Sequence, residues 1–321
     1  MDSIGTPTMW VGFLVFVLAM LALDLGVFHR KSHEISFKEA AIWSSVWVSL
    51  SLLFNVGVHH WFGSELALQF LTAYLVEKTL SVDNIFVFVV IFSTLAIPNR
   101  LQHRVLFWGI LSALVLRAGM IFLGAAMLAK FHWLIYVFGA FLILTGVKLF
   151  LSSRKGHEIE PSESRMLEHL RRAIPSTKEL HGDSFVTRMG SRWVATPLLM
   201  ALLLVEVTDL IFALDSIPAV LAISSDTFIV FTSNIFAILG LRSLFFMLSG
   251  LVDRFAYLKV GLAAVLVFVG LKMSIVEVVK IPAAASLVVI ATLLSVSIGA
   301  SLWKARRSAL PVASAPPLSD A

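Results

Sequence analysis

Nine apolar runs dominate the chain, at about residues 9–28, 40–62, 67–93, 104–129, 132–151, 195–223, 227–250, 256–279 and 281–303. A helix needs about 20 residues to cross roughly 30 Å of hydrocarbon, so each run predicts a membrane-spanning helix. Polar or Gly/Pro-bearing connections such as Ile97-Pro98-Asn99-Arg100, Ser224-Ser225-Asp226 and Ile281-Pro282 separate them. Very short turns join the pairs at 104–151 and 256–303. Only the stretch from Ser152 to Val194 is long and mixed in charge, with a short helix expected around Glu163–Ala173. The end, Ser308–Ala321, is Ala/Pro/Ser-rich and reads as disordered.

Composition strengthens the membrane reading. Of 321 residues 59% are hydrophobic and 14% charged, and mean hydropathy is +0.93; soluble domains keep about a quarter of their residues charged. The excess of 25 Lys+Arg over 20 Asp+Glu is modest and falls between the apolar runs, so no nucleic-acid partner is expected. No cysteine is present, which excludes disulfides and thiolate metal sites. The start, Met1-Asp2-Ser3-Ile4-Gly5, lacks the positive segment of a signal peptide, so the first run reads as a retained helix. Basic residues crowd alternate connections: Arg30, Lys31 and Lys38, then Arg100 and Arg104, then eight within 152–194, then Arg254, and Lys304, Arg306 and Arg307 in the tail. The remaining connections hold Lys130 and Lys280. The positive-inside rule then predicts an N-terminus outside and a C-terminus in the cytoplasm.

A repeat organises the middle of the chain. The third run carries Glu77-Lys78-Thr79-Leu80-Ser81-Val82-Asp83-Asn84, the fourth Leu116-Arg117, and the fifth ends Gly146-Val147-Lys148. The sixth carries Glu206 and Asp209-Leu210-Ile211-Phe212-Ala213-Leu214-Asp215-Ser216, the seventh Leu241-Arg242, and the eighth Gly270-Leu271-Lys272. Three helices separate the two starts, so the triplets are inverted across the membrane, as in secondary transporters. The chain divides accordingly into two peripheral helices (1–66), a first three-helix unit (67–151), a cytoplasmic linker (152–194), a second, inverted unit (195–280), a last helix (281–303) and a cytoplasmic tail (304–321). The fold class expected is an all-α polytopic membrane protein.

Glu77, Asp83, Glu206, Asp209 and Asp215 all fall inside apolar runs. Each carboxylate at membrane depth costs about 2.5–3.5 kcal/mol, and five cost on the order of 10–20 kcal/mol before pairing. Arg117, Arg242 and Lys78 are the available counter-charges, with Asn234 on the same face as Arg242. The surplus of acids, with Asn84, Ser81, Ser216, Thr79 and Thr208 nearby, offers hard oxygen donors suited to Mg²⁺, Ca²⁺ or Mn²⁺. Protons are the other candidate cargo, because crowded acids hold protons more tightly. Residues six apart are about 120° apart around a helix. Glu77 and Asp83 therefore share an ion only if their helix is distorted, whereas Glu77 and Asn84, or Asp209 and Ser216, lie on one face. Pro218 frees the Leu214 carbonyl beside Asp215. Lys148 reads as an interfacial anchor, Lys272 as a partner of Glu277, and Asp24 as snorkelling to the inner surface.

At these residues the chain resembles the TerC family of integral membrane proteins, most closely its Alx-like branch, which is associated with manganese export. The likeness rests on Glu77–Val87, on Glu206–Ala219 with its Asp209 and Asp215, on Thr232–Arg242 and on Phe138–Lys148, and runs to about residue 303. It implies a bacterial inner-membrane protein related to lysine and cation exporters. It also implies Mn²⁺ as transported substrate rather than cofactor, with both acidic motifs as its site.

The expectation is thus a transporter exporting Mn²⁺ or a similar hard divalent cation, with protons as the candidate coupling ion. Asp83 and Asp215 would be principal ligands, with Glu77, Asp209, Glu206, Asn84 and Ser216 beside them. No resident cofactor is expected. Beyond the lipid bilayer, partner proteins or a homo-oligomer remain open. A rival reading is a membrane scaffold, or an accessory to tellurite-type metal resistance, that recruits partners through the 152–194 loop. An enzyme is disfavoured: no nucleophile–base set, nucleotide loop or HExxH pair is present.

Overall fold

The computed structural model describes residues 3–28, 36–131, 133–153, 161–249, 257–276, 278–279 and 281–308, with the side chains of Asp83 and Asp24 outside the described set. Glu277, Arg254 and the tail beyond residue 308 also lie outside the described residues. Among the described residues eleven helices follow one another: α1 (Pro7–Phe28), α2 (Phe37–Phe62), α3 (Ser64–Thr94), α4 (Asn99–Lys130), α5 (Leu134–Ser153), α6 (Pro161–Ala173), α7 (Pro197–Leu221), α8 (Thr227–Leu239), α9 (Leu241–Leu248), α10 (Leu258–Ser274) and α11 (Ala283–Ser308). A two-stranded hairpin, β1 (Val186–Met189) and β2 (Arg192–Ala195), stands between α6 and α7.

Each apolar run thus contains helix, but among the described residues five helices (α2, α4, α5, α7 and α11) are by themselves long and apolar enough to cross a membrane. The bent pair α8–α9 raises the number to six. In α3 the charges intervene, because every eighteen-residue stretch of it holds at least three of Glu65, Glu77, Lys78 and Asp83. Two expectations are corrected. The run at 227–250 is not one helix but bends by 41° between α8 and α9, where Gly240 takes φ −86° and ψ 3°. And α10 stops at Ser274 rather than near 279, because the β-branched run Ile275-Val276 and Val278-Val279 is a poor helix former and Pro282 forbids continuation.

Helix boundaries follow local chemistry. Asp226 caps α8, its Oδ1 accepting from the amides of Phe228 (2.9 Å) and Ile229 (3.0 Å). Its Oδ2 accepts from the amide of Ile4 at 2.7 Å, fastening the start of the chain to the same point. Pro197 opens α7, where its missing N–H costs nothing. Gly63, at φ +90°, makes the turn between α2 and α3 in a conformation that other residues resist.

At the centre lies α8, every residue of which is buried; a helix apolar all round belongs inside a bundle. Aromatic rings from α1, α2 and α3 pack on it: Phe13, Phe54 and Phe70 stand 5.7, 5.1 and 6.1 Å from the ring of Phe236. On another side α5 and α10 run antiparallel with their backbones nearly touching. A Cβ on Gly270 would fall 2.7 Å from the Gly139 carbonyl oxygen, and one on Gly146 would fall 2.8 Å from that of Ala263. Small residues at such crossings let membrane helices close without a hydrophobic driving force.

Candidate intramembrane charged site

Three helices bring the charges together. Glu77 on α3, Arg117 on α4 and Asp209 on α7 meet with all three side chains buried. Arg117 holds Asp209 through two nitrogens, Nε donating to Oδ2 at 3.2 Å and Nη2 to Oδ1 at 2.8 Å. Its remaining nitrogen, Nη1, forms an ion pair with Oε1 of Glu77. The planar guanidinium suits this, since it offers donors along two edges at once. Asn84, one face-repeat along from Glu77, donates from Nδ2 to Asp209 Oδ1 at 3.5 Å. The first acid of each motif therefore converges on one cation.

The second motif's last acid occupies a neighbouring space. Asp215 borders a cavity of about 100 Å³ together with Asn84, Arg117, Thr145 and Ser216, closed by apolar residues such as Leu80 and Phe212. Thr145 donates to Asp215 Oδ1 at 3.3 Å, and Lys148 follows a turn further along α5. The buried Ser216 hydroxyl and Glu77 Oε2 have no hydrogen-bond partner among the described residues. Buried polar atoms are nearly always satisfied, so the orphaned Ser216 hydroxyl, which borders this cavity, marks where a ligand or water completes the set. The polar groups facing this space are the Asp215 carboxylate, two hydroxyls, the Asn84 amide and the Arg117 guanidinium, whose charge is already taken up by Glu77 and Asp209. That chemistry favours a hard cation over an anion.

The sequence-expected residues divide between this site and elsewhere. Glu77, Asn84, Arg117, Asp209, Asp215 and Ser216 come together. Glu206 sits a turn before Asp209 and is held by the Ser112 hydroxyl of α4. Lys78 turns away from the acids: its Nζ donates to the carbonyl of Ala237 at 3.2 Å, at the bend after α8. Asn234 is buried in α8 with neither amide atom hydrogen-bonded among the described residues, and Arg242 is buried in α9; neither lines the Asp215 cavity. The Asp83 side chain lies outside the described residues. Among those described, no three carboxylates or histidines stand close enough to hold an ion alone. Any ion bound here would need hydroxyl, amide or backbone oxygens as well.

Two conditions that the sequence sets on local geometry are not met. The distortion that a shared ion would need between Glu77 and Asp83 is absent, since α3 is helical without interruption from Ser64 to Thr94. Nothing in that stretch breaks the ladder, lacking as it does proline and glycine. Pro218 likewise leaves α7 continuous to Leu221, its lost bond falling in the last turn. The expected pairing of Lys272 with Glu277 falls outside the described residues, because Glu277 does. Sequence reasoning missed Thr145 and Ser112. Each is a lone hydroxyl in an apolar run, and only its position one face from a facing acid gives it meaning.

An apolar helical bundle with buried charges at its centre defines a polytopic membrane protein. This chain belongs to the integral membrane protein TerC family, whose profile matches residues 62–309. It is 65% identical over 314 residues to an uncharacterized membrane protein, STKORF319, of Myxococcus xanthus, covering 98% of each chain. It is 47% identical over 313 residues to a protein of Salmonella typhi described as "Putative membrane-bound redox modulator Alx", covering 94% of this chain and 96% of that one. The protein of the same description in Escherichia coli K12 is 45% identical over 315 residues, covering 94% and 97%. No solved structure matches significantly.

Proposed function

We propose that this protein is a secondary transporter that exports Mn²⁺, or a similar hard divalent cation, from the cytoplasm through the Asp215 cavity. One observation carries the reading: Arg117 is clamped by carboxylates from both acidic motifs beside a cavity that holds a further carboxylate and two hydroxyls. Negative charge in excess of its counter-charge at membrane depth is costly, and a transported cation is what offsets it. In this reading Asp215, Ser216, Thr145 and Asn84 supply the first oxygen ligands, with Asp83 as the corresponding acid of the other motif. Glu77 and Asp209 keep Arg117 from repelling the ion. Glu206 is the candidate proton carrier.

The packing of α5 on α10 supports two inverted halves. Aligning Gly146-Val147-Lys148 with Gly270-Leu271-Lys272 pairs Gly139 with Ala263. The contact Gly139–Gly270 then exchanges with Ala263–Gly146, as a two-fold axis in the membrane plane requires. We place the protein in the bacterial inner membrane with nine crossings and its C-terminus in the cytoplasm, on the basic-residue pattern. The redox role in the relatives' description has no thiol to act through here, as the chain lacks cysteine. Control of a redox-active metal ion would reach the same end.

The test is uptake of Mn²⁺, Mg²⁺, Ca²⁺ and Zn²⁺ into proteoliposomes, with and without an imposed pH gradient. Mn²⁺ flux that Asp215→Asn abolishes supports the reading. Equal flux by wild type and variant, or none for any cation, overturns it.

A further inference from the structure

We propose that the β1–β2 hairpin is a membrane-surface anchor that lays Trp193 and Arg188 among anionic lipid headgroups at the edge of the bundle. Its root is built into the boundary of two apolar helices. Arg104, early in α4, pairs with Asp183 at 3.4 Å and stacks its guanidinium 5.3 Å from the centre of the Phe185 ring. Thr196, the residue before α7, donates its hydroxyl to the Ser184 carbonyl at 2.7 Å. Both α4 and α7 are long and apolar enough to cross a membrane, so the hairpin emerges where hydrocarbon gives way to headgroups. Trp193 lies four residues before Pro197, within about 13 Å of the helix end at ~3.3 Å per residue.

The strand register decides which face is offered. Arg188 stands opposite Trp193, and Val186 opposite Ala195, so Val186, Arg188 and Trp193 share one face. Ala195, at the root of that face, is buried, but the rest is uncovered: Trp193 is 68% exposed and Val186 45%. The neighbouring helix α6, by contrast, buries Leu167 and partly buries Leu170 against the core. From Ser184 to Thr196 the chain holds Arg188 and Arg192 and no acid. A Trp beside Arg at the end of a spanning helix is the pairing that membrane interfaces favour, with the ring among headgroups and the cation on phosphate. The occupant is therefore the anionic lipid of the protein's own membrane.

The cysteine-free chain permits a direct test that does not depend on transport. Ser191→Cys, at the exposed hairpin tip, takes a single environment-sensitive fluorophore, and the protein is placed in nanodiscs of phosphatidylcholine with or without phosphatidylglycerol. Lipid nitroxides near the headgroup should quench the label in the phosphatidylglycerol discs, and aqueous iodide should not. Arg188→Gln with Trp193→Ala should weaken the lipid quenching about five-fold or more, since each basic residue near an anionic surface contributes about that factor. Equal quenching without phosphatidylglycerol overturns the anionic assignment. Free access of iodide overturns the anchor altogether. Shielding from iodide with no lipid quenching also overturns it, and assigns the face to a second copy or another protein.

Discussion

The guanidinium of Arg117 meets the carboxylate of Asp209 edge to edge, nitrogen to oxygen at 3.2 and 2.8 Å, in a space closed to solvent. Removing one partner of such a pair leaves an uncompensated buried charge, which costs about 3–5 kcal/mol. Arg117→Met should therefore lower the melting temperature in detergent micelles sharply. Adding Asp209→Asn should recover part of the loss, and only part, because Glu77 keeps its charge. Arg117→Lys should remain defective, as an ammonium cannot span both edges. A melting temperature unchanged in Arg117→Met would show that the pair does not form.

Asp215 is fastened far more lightly, by one bond from Thr145 at 3.3 Å. Asp215→Asn should keep stability within about 1 kcal/mol while eliminating cation flux. Thr145→Val should keep flux but require several-fold more cation for half-maximal rate. Melting curves and concentration-dependent flux on the same preparations separate the two effects. A loss of flux that tracks a loss of folded protein would remove Asp215 from the path.

The α5–α10 crossing tolerates no side chain at its closest points. Gly270→Ala would drive a methyl to 2.7 Å from the Gly139 carbonyl and 2.9 Å from Ile143. It should cost about 1–3 kcal/mol by overpacking. Gly119→Ala is the matched control, because nothing lies within 4 Å of the added carbon. Equal melting temperatures for the two variants would contradict this packing.

Much of this architecture was legible in the chain. The apolar runs locate the helices, α6 falls where its charged amphipathic stretch predicted it, and the two acidic motifs supply most of the central cluster. What escaped was specific to contacts between helices. Nothing in the sequence says that Glu77 and Asp209 share one arginine while Asp215 stands in a separate cavity, because facing depends on how α3, α4 and α7 are turned against each other. The bend at Gly240 was equally hidden, since a lone glycine in an apolar run is usually tolerated without a break. The hairpin did leave a signal. Gly190-Ser191 between Val/Thr- and Trp/Val-bearing segments is a two-residue turn pattern, and Gly190 at φ +62° provides the positive φ its first position needs.

The bend itself yields a prediction. Lys78 Nζ donates to the Ala237 carbonyl at 3.2 Å, close to the C-terminal end of α8 where backbone oxygens lose helical partners and the dipole is negative. Lys78→Met should cost about 1.5–3 kcal/mol. Hydrogen exchange should speed up selectively at the amides of Leu241–Leu248. Gly240→Ala should act in the same direction, its methyl falling 2.8 Å from Nζ and 3.1 Å from Trp47 Cβ. Unaltered exchange in both variants would exclude a role for this contact at the bend.

Consecutive residues of α3 are thus tied to different bodies, Glu77 to α4 through the arginine it shares with α7, and Lys78 to α8. Successive side chains leave a helix about 100° apart, so the two ties pull on α3 from different bearings. A rod pinned at two bearings cannot roll without tearing one of them. Nor can it slide far along its axis with both ties intact, so it carries its neighbours with it as one piece. Any motion that alternates access to the Asp215 cavity must then either move α3, α4, α7 and α8 together past α5 and α10, or begin by breaking one of these two bonds.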